Sequence, residues 1–321
     1  MIRWLIVAFG IAPLVGIAGC LAPAPVDPVE LAPVQVAIAS SRVNDLIDLN
    51  KRLVNVEHAL TTSSAKRCGA LARPQSGMIL SRAGFFEDRM IQNAAGSDHA
   101  LGRDLRILHV VQGGGADRAG LQVGDEVLEV DGERLQESGE LRDHLLKLAN
   151  RTSVMFKVRR NGKEIRQPAE LEVGCPVVFK LTDGSFALIP RSTTQLIVSV
   201  TRGLLDLIDD DNVLAVMLAH ELAHTGFDDE GKSWPTQEAR ADRLGLIIAA
   251  QAGYDVGGAE GYWERVALEY PKLIDEAPKH QGPLRDGFEN LTHYGIANRM
   301  AAIRTTVAEI QAQISQRAEA P

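Results

Sequence analysis

Residues 213–224 constrain the fold of this chain more than any other segment does. They form an apolar run that ends in His220 and His224, four positions apart, with Glu221 between them. Positions four apart lie on one face of a helix, so both imidazole rings can be directed at a single metal ion while Glu221 flanks the same ion. The segment therefore predicts a helix that carries two ligands of a metal site.

A second helical run, over residues 239–252, follows the first. Glu238 at its start is the natural third ligand, because catalytic zinc sites use three protein ligands and leave one position open for water. Asp242, one helical turn further, could accept the free N–H of a ligand histidine and fix its tautomer. We therefore expect one Zn2+ per chain, bound by His220, His224 and Glu238. A solvated acidic face is the alternative interpretation of the two carboxylates.

With these motifs, residues 198–307 resemble the catalytic domain of the M48 family of gluzincin metallopeptidases. Two departures from the family pattern are a short segment between the two metal-binding motifs and a tyrosine in place of the usual proline at position 294. The other matching pieces are SVTRGLL at 199–205, DDD at 209–211, AGYD at 252–255, and Thr-His-Tyr at 292–294 with Arg299.

The resemblance implies both the fold and the chemistry of residues 175–321. The expected fold is α+β, a mainly helical zinc-peptidase domain with a small β-sheet. Glu221 is expected to take the proton of the attacking water and to deliver it to the leaving amine. Asp242 and His293 complete the expected catalytic residues, with His293 as a candidate donor to the oxyanion. A helix-capping or packing role for His293 is the alternative.

Residues 76–173 have a different sequence pattern, in which short β-prone runs are separated by glycine. Within them, ADRAGLQVGDEVLEVDG at 116–132 resembles the core signature of PDZ domains of the bacterial protease-associated type. The resemblance implies a β-rich PDZ domain that binds peptide C-termini or extended segments at a sheet edge. Two segments, Ser76–Ile79 and Ala83–Phe86, compete for the role of carboxylate-binding loop. A PDZ domain kept as a rigid spacer or regulatory cover is the alternative.

The N-terminus has the pattern of a signal peptide, in which Arg3 precedes an apolar run over residues 4–19. The sequence Ile-Ala-Gly that leads into Cys20 resembles the lipobox of bacterial lipoproteins, which implies that Cys20 is lipidated and becomes the first residue. Ordinary signal cleavage and an uncleaved anchor are the alternatives. We expect an exported lipoprotein that faces the periplasm, and Leu21 favours the outer membrane because it is not the family's inner-membrane retention signal.

Three further segments complete the predicted organisation. Prolines recur in residues 20–40, which predicts an extended tether, and helical spacing of apolar residues assigns residues 41–70 to a helical segment. Cys68 and Cys175 lie just outside the predicted PDZ domain and are a possible disulfide in an oxidising compartment. Apolar spacings of four and three over residues 296–314 predict a terminal helix that docks on the catalytic domain, or, as the minor option, on a partner.

Charge excludes one class of function. The formal net charge is -8, from 34 Lys plus Arg against 42 Asp plus Glu, and no basic cluster is present, which argues against a nucleic-acid partner. The sequence therefore favours a membrane-anchored zinc endopeptidase that hydrolyses polypeptide substrates, by resemblance misfolded envelope proteins. The alternatives are a peptide-binding or chaperone-like lipoprotein with a closed or structural zinc site, and a hydrolase of other amides such as cell-wall peptide cross-links.

Overall fold

The structure, a computed structural model, describes residues 28–148, 151–182, 191–192, 196–224, 234–261 and 296–319. The predicted lipidation site Cys20 and the predicted catalytic residue His293 lie outside these ranges. The helices are α1 (Pro28–Ser63), α2 (Ala65–Cys68), α3 (Arg89–His99), α4 (Gly115–Arg118), α5 (Ser138–Lys147), α6 (Arg202–Leu207), α7 (Asp211–His224), α8 (Trp234–Gln251) and α9 (Ile296–Glu319). The strands are β1 (Arg73–Gln75), β2 (Met78–Ser81), β3 (Leu105–Val110), β4 (Glu126–Val130), β5 (Ser153–Arg160), β6 (Lys163–Glu170), β7 (Glu172–Gly174), β8 (Val178–Thr182), β9 (Arg191–Ser192) and β10 (Ile197–Thr201).

Five antiparallel strands form the main sheet, in the order β2-β3-β4-β5-β6. Aliphatic and aromatic residues on one face of these strands pack with α5 into a single core, in which Ile107, Phe156 and Val158 are fully buried. Asn161 and Gly162 close the β5–β6 hairpin with φ of 50° and 76°, the left-handed conformation that a two-residue turn of this kind requires. The predicted β-rich domain is therefore present.

A second core surrounds α7. This core includes a small three-stranded sheet, in which β10 pairs with β8 in parallel and with β9 antiparallel. Helix α7 is apolar on all sides, and side chains of the surrounding elements pack against it. Leu214 and Leu218 are fully buried there. The terminal helix α9 docks on this core through Ile303 and Ile310, whereas Ile314 is 57% exposed, so the docking ends before the apolar stripe does.

Residues 28–40 belong to helix α1, so the predicted extended tether over residues 20–40 is wrong from Pro28 onward. Pro33, in the second turn, removes one intrahelical hydrogen bond without ending the helix. Despite the 36 residues of α1, no helix in the described part of the chain is apolar enough over a sufficient length to cross a bilayer.

Residues of α1 belong to both halves of the molecule. Val43 and Ile47 pack against α3 and the outer face of the main sheet. Further along, Leu53, Val56 and Leu60 enter the core around α7. These five side chains are at most 5% exposed. One continuous helix therefore holds the β-rich domain and the α7 core in a fixed relation.

A disulfide bond between Cys68 and Cys175 reinforces this junction. The Cα atoms of the pair are 5.4 Å apart, within the usual range for a disulfide. Cys175 N also donates to the carbonyl oxygen of Thr61 at the end of α1, at 3.0 Å. The disulfide bond therefore joins the chain segment that follows α1 to the segment that leaves the main sheet.

Candidate functional site

The candidate site lies where α7 and α8 cross. A Cβ added at Gly245 of α8 would lie 2.8 Å from the backbone N of His220 and 2.9 Å from its Cα, which is closer than Cβ atoms come in real proteins. Glycine therefore permits this helix separation where a larger residue would not. Glu238, Asp242 and Gly245 are spaced by four and three residues, which places all three on the face of α8 that meets α7.

Three potential metal ligands meet at this crossing. Nε2 of His220 lies 3.1 Å from Nε2 of His224. The carboxylate of Glu238 spans the pair, with Oε2 3.3 Å from His220 Nε2 and Oε1 3.2 Å from His224 Nε2. All three residues are buried. Within the described ranges, this is the group of three histidine, cysteine or acidic residues whose ligand atoms are close enough to hold a metal ion.

Asp242 and Arg299 lie behind the ligands. Oδ1 of Asp242 is 3.0 Å from Nδ1 of His220, on the side of the ring that faces away from Glu238. Arg299 of α9 donates from Nε and Nη2 to the two Asp242 oxygens, each at 2.7 Å, and its Nη2 also lies 3.4 Å from Oε2 of Glu238. Such a buried two-point pair fixes the carboxylate in position. The terminal helix α9 thereby helps to orient the site residues of α7 and α8.

The same contacts set the protonation of the site. Burial works against a charged His220, but hydrogen bonds to Asp242 and Glu238 outweigh it and raise the pKa of His220 to about 9. Burial also works against a charged Glu238, yet hydrogen bonds from His220 and His224 and the charge of Arg299 hold the pKa of Glu238 far below its ordinary value. Without a metal, His220 is therefore an imidazolium at neutral pH, and a bound cation would take the place of its proton.

Glu221 lies beside the ligand group without being part of it. Its Oε1 is 4.0 Å from Nε2 of His220, and its side chain is 15% exposed. The helix directs this carboxylate to the edge of the ligand cluster, because Glu221 follows His220 directly. A carboxylate in this position can reach a water molecule next to a bound ion.

Five of the six predicted catalytic and metal-binding residues are brought together here, and the sixth, His293, lies outside the described residues. Two further residues contribute to the site. Arg299 was predicted only as part of the resemblance to the M48 family and without a role, because its pairing with Asp242 joins positions 57 residues apart, beyond any local pattern. Gly245 could have been found, because it continues the spacing of Glu238 and Asp242 along one helix face.

A second candidate site lies along the edge of the main sheet at β2, beside α5, and is called the groove below. Among the described strands, β2 is an edge of the main sheet and pairs with β3 alone. Before β2, Arg73 Nε donates to the carbonyl oxygen of Leu146 near the end of α5, at 3.0 Å. After β2, Arg82 forms an ion pair with Glu137 at the start of α5. The edge strand therefore runs along α5 in the direction opposite to the helix.

Backbone hydrogen bonds show which of the two candidate carboxylate-binding loops has amides available for a ligand. In Ala83–Phe86, the backbone amides of Ala83, Phe85 and Phe86 already donate to backbone carbonyls of the fold. These donors cannot also capture a carboxylate. The other segment, Ser76–Ile79, leads into β2 next to the C-terminal end of α5. It is the better candidate for the end of the groove.

Comparison with known proteins agrees with the β-rich fold. Residues 87–171 match the family model described as PDZ domain, so the chain contains a PDZ domain. No curated protein matches the chain. Among solved structures, the HtrA3 PDZ domain bound to a phage-derived ligand (FGRWV) is 19% identical over 32% of this chain and 88% of its own, with a TM-score of 0.25. The HtrA-type protease AlgW with a decapeptide is 21% identical over 32% of this chain, with a TM-score of 0.26, and the matched region spans 29% of AlgW.

Proposed function

We propose that this protein is a zinc-dependent endopeptidase anchored to a membrane through acylated Cys20, with the PDZ domain as its peptide-recognition module. The proposed substrates are envelope polypeptides, above all misfolded ones, in the periplasm. The observation that carries the enzymatic part is the mutual spacing of His220, His224 and Glu238. The anchor and the location rest on the N-terminal sequence alone.

The ligand spacing fits tetrahedral zinc. Zinc bonds to imidazole nitrogen and carboxylate oxygen are about 2.0–2.1 Å long, so two tetrahedral ligand atoms lie roughly 3.3 Å apart. The three separations among His220, His224 and Glu238 are 3.1, 3.2 and 3.3 Å. Two nitrogen ligands and one oxygen ligand also match the donor set of catalytic zinc sites. Within the described residues the group has three members, which is the number that leaves a position for water.

The proposed mechanism assigns one task to each polar residue. Bound zinc would supply a Lewis acid that activates water and polarises the scissile carbonyl. The Glu221 carboxylate accepts the proton of the attacking water and transfers it to the leaving amine nitrogen. Asp242, held by Arg299, keeps the proton of His220 on Nδ1, so that Nε2 of the ring is available as a ligand.

The PDZ groove supports the choice of a polypeptide substrate. An extended peptide can add a strand to the free edge of β2, alongside α5, with its C-terminal carboxylate at Ser76–Ile79. Both HtrA-related structures described above contain a bound peptide. In this proposal the groove selects exposed extended segments and the metal site cleaves them.

The test is Glu221→Gln, assayed as zinc-loaded full-length protein on an unfolded polypeptide. We expect the variant to retain one zinc per chain and to lose about 100-fold or more in kcat, because proton transfer contributes at least that much. Glu87→Gln, at an exposed position of the PDZ domain, is the matched control and should cleave normally. Normal cleavage by Glu221→Gln would refute the assigned role.

The second candidate function is peptide binding without hydrolysis, which the PDZ match favours independently of the metal site. In that case zinc-loaded protein binds peptides but produces no new termini, and a side chain fills the fourth zinc position. A metal-bound structure distinguishes the two, since the endopeptidase requires water there. Hydrolysis of cell-wall peptide cross-links would instead appear as cleavage of that material and not of proteins.

A further inference from the structure

The first three turns of α1 project from the rest of the described molecule. Every residue from Pro28 to Ile38 is exposed, and Ala39 is the first to be buried. At 1.5 Å per residue, this projecting segment is about 16 Å long. It is also apolar, since Leu31, Val34, Val36 and Ile38 are 39%, 54%, 57% and 55% exposed.

Local sequence does not explain why this segment is helical. Val34, Val36 and Ile38 are β-branched and lower helix propensity, and Pro33 removes a backbone hydrogen bond. The later turns of α1, which pack on α3 and the main sheet, extend the helix into this segment but bury none of its apolar side chains. A helix of this composition is stabilised when its apolar side chains are covered. A surface outside the described residues is therefore needed to cover it.

Position along the chain identifies that surface. Pro28 lies eight residues after Cys20. Eight residues extend over at most about 29 Å, so an acyl group on Cys20 keeps the start of α1 close to the lipid. A second copy of the chain fits less well, because Leu31, Val34 and Ile38 form one apolar stripe of little more than a heptad, far shorter than a stable coiled coil.

Charge sets the mode of binding. The chain has no lysine or arginine between Arg3 and Arg42, so electrostatic attraction to anionic lipids is absent from this segment. The remaining driving force is burial of apolar side chains at the boundary between headgroups and acyl chains. The segment therefore suits a lipid surface without regard to the charge of its headgroups.

We propose that the projecting segment, residues 28–38, docks on the lipid surface to which Cys20 is attached, with Leu31, Val34 and Ile38 inserted. This inference rests on the proposed acylation of Cys20. Because the same helix continues into both cores, docking orients the PDZ groove and the metal site relative to the membrane. Acylation limits the distance between the protein and the membrane, and the docked helix also fixes the orientation of the protein relative to it.

The test places a photo-crosslinking benzoylphenylalanine at Val34 in the full-length chain, reconstituted in phosphatidylcholine vesicles. Val123, a valine of the PDZ domain that is 64% exposed, is the matched control position. We expect a phospholipid adduct from position 34 and none from position 123. A crosslinked dimer, a crosslink within the chain, or no adduct from position 34 would overturn the proposal.

Two further measurements separate this inference from the anchor. The mass of the N-terminal peptide shows whether Cys20 is acylated. A lipid adduct at position 34 without acylation disproves the anchor and supports the docking surface. Acylation without an adduct supports the anchor and disproves the docking surface.

Replacing Leu31, Val34 and Ile38 by serine in unacylated full-length protein should lower vesicle binding at least tenfold. Binding of the unsubstituted protein should be the same in low and high salt, and release by salt would contradict the apolar mode.

Discussion

Replacing Gly245 by alanine tests whether the crossing of α7 and α8 sets the metal site. In the interior of an ordinary helix this change stabilises by about 0.5–1 kcal/mol, because glycine loses more conformational entropy on folding. Here the new Cβ would lie 2.8 Å from the backbone N of His220. Backbone atoms cannot rotate away as a side chain can, so the helices themselves must separate.

The size of the effect follows from that distance. Ordinary contact begins at 3.4 Å, so α8 has to move by about 0.6 Å. Overpacking of this kind costs about 1–3 kcal/mol, and after the gain of about 0.5–1 kcal/mol in helix propensity is subtracted, a net destabilisation of up to about 2.5 kcal/mol remains. The movement also displaces Glu238 from the two histidines, and metal sites tolerate only about 0.2 Å. Zinc affinity should therefore fall about tenfold or more.

Urea denaturation of the metal-free protein and zinc competition against a chelator measure the two effects. Gly96→Ala in α3 is the matched control, because its Cβ would lie 3.5 Å from the carbonyl oxygen of Leu101, an ordinary contact. That variant should be slightly more stable than the parent and should bind zinc normally. If Gly245→Ala behaves like Gly96→Ala in both assays, the reasoning about the helix crossing is wrong.

Four further predictions concern the metal site, its dependence on pH and the disulfide bond. Asp242→Asn should weaken zinc binding about 10–100-fold, as measured by chelator competition, because the neutral amide no longer orients His220, and Arg299→Lys should weaken it less because one hydrogen bond to the carboxylate remains. Zinc affinity should rise by about tenfold per pH unit between pH 7 and about 9, because the proton of His220 has to leave, and calorimetry in buffers of different ionisation enthalpy should detect its release. Over the same range the metal-free protein should lose stability, since a group whose pKa is raised by folding stabilises the folded state only while it is protonated, and a flat profile would contradict this. Replacing both Cys68 and Cys175 by serine should lower the free energy of unfolding by about 4–5 kcal/mol, because the bond closes a loop of 107 residues, and an unchanged urea midpoint would contradict the estimate.

Local patterns predicted the ligand-bearing helices. The apolar run before His220 indicated a buried helix, and the four-residue spacing of His220 and His224 placed both on one of its faces, because each relation depends on helix geometry alone. The hairpin turn at Asn161 and Gly162 is equally local, because a two-residue turn of this kind favours Asn followed by Gly. These features need no knowledge of distant parts of the chain.

Other features depend on contacts that sequence spacing does not contain. The helical state of residues 28–40 contradicts their proline content, because the later turns of α1 are fixed by packing on α3 and the main sheet. The role of Arg299 depends on where α9 docks relative to Asp242. Tertiary contacts decided both cases against, or beyond, local propensity.

The position of α1 in the chain also determines when the second core can form. Leu53, Val56 and Leu60 come early in the chain, and one of their partners, Leu214, follows Leu60 by 154 residues. Their core therefore cannot form until residues far beyond the PDZ domain are present. The PDZ domain, which lies between them in the chain, can complete its own core first. A chain that stops after the PDZ domain would therefore leave the C-terminal half of α1 with a bare apolar face, and we expect it to aggregate.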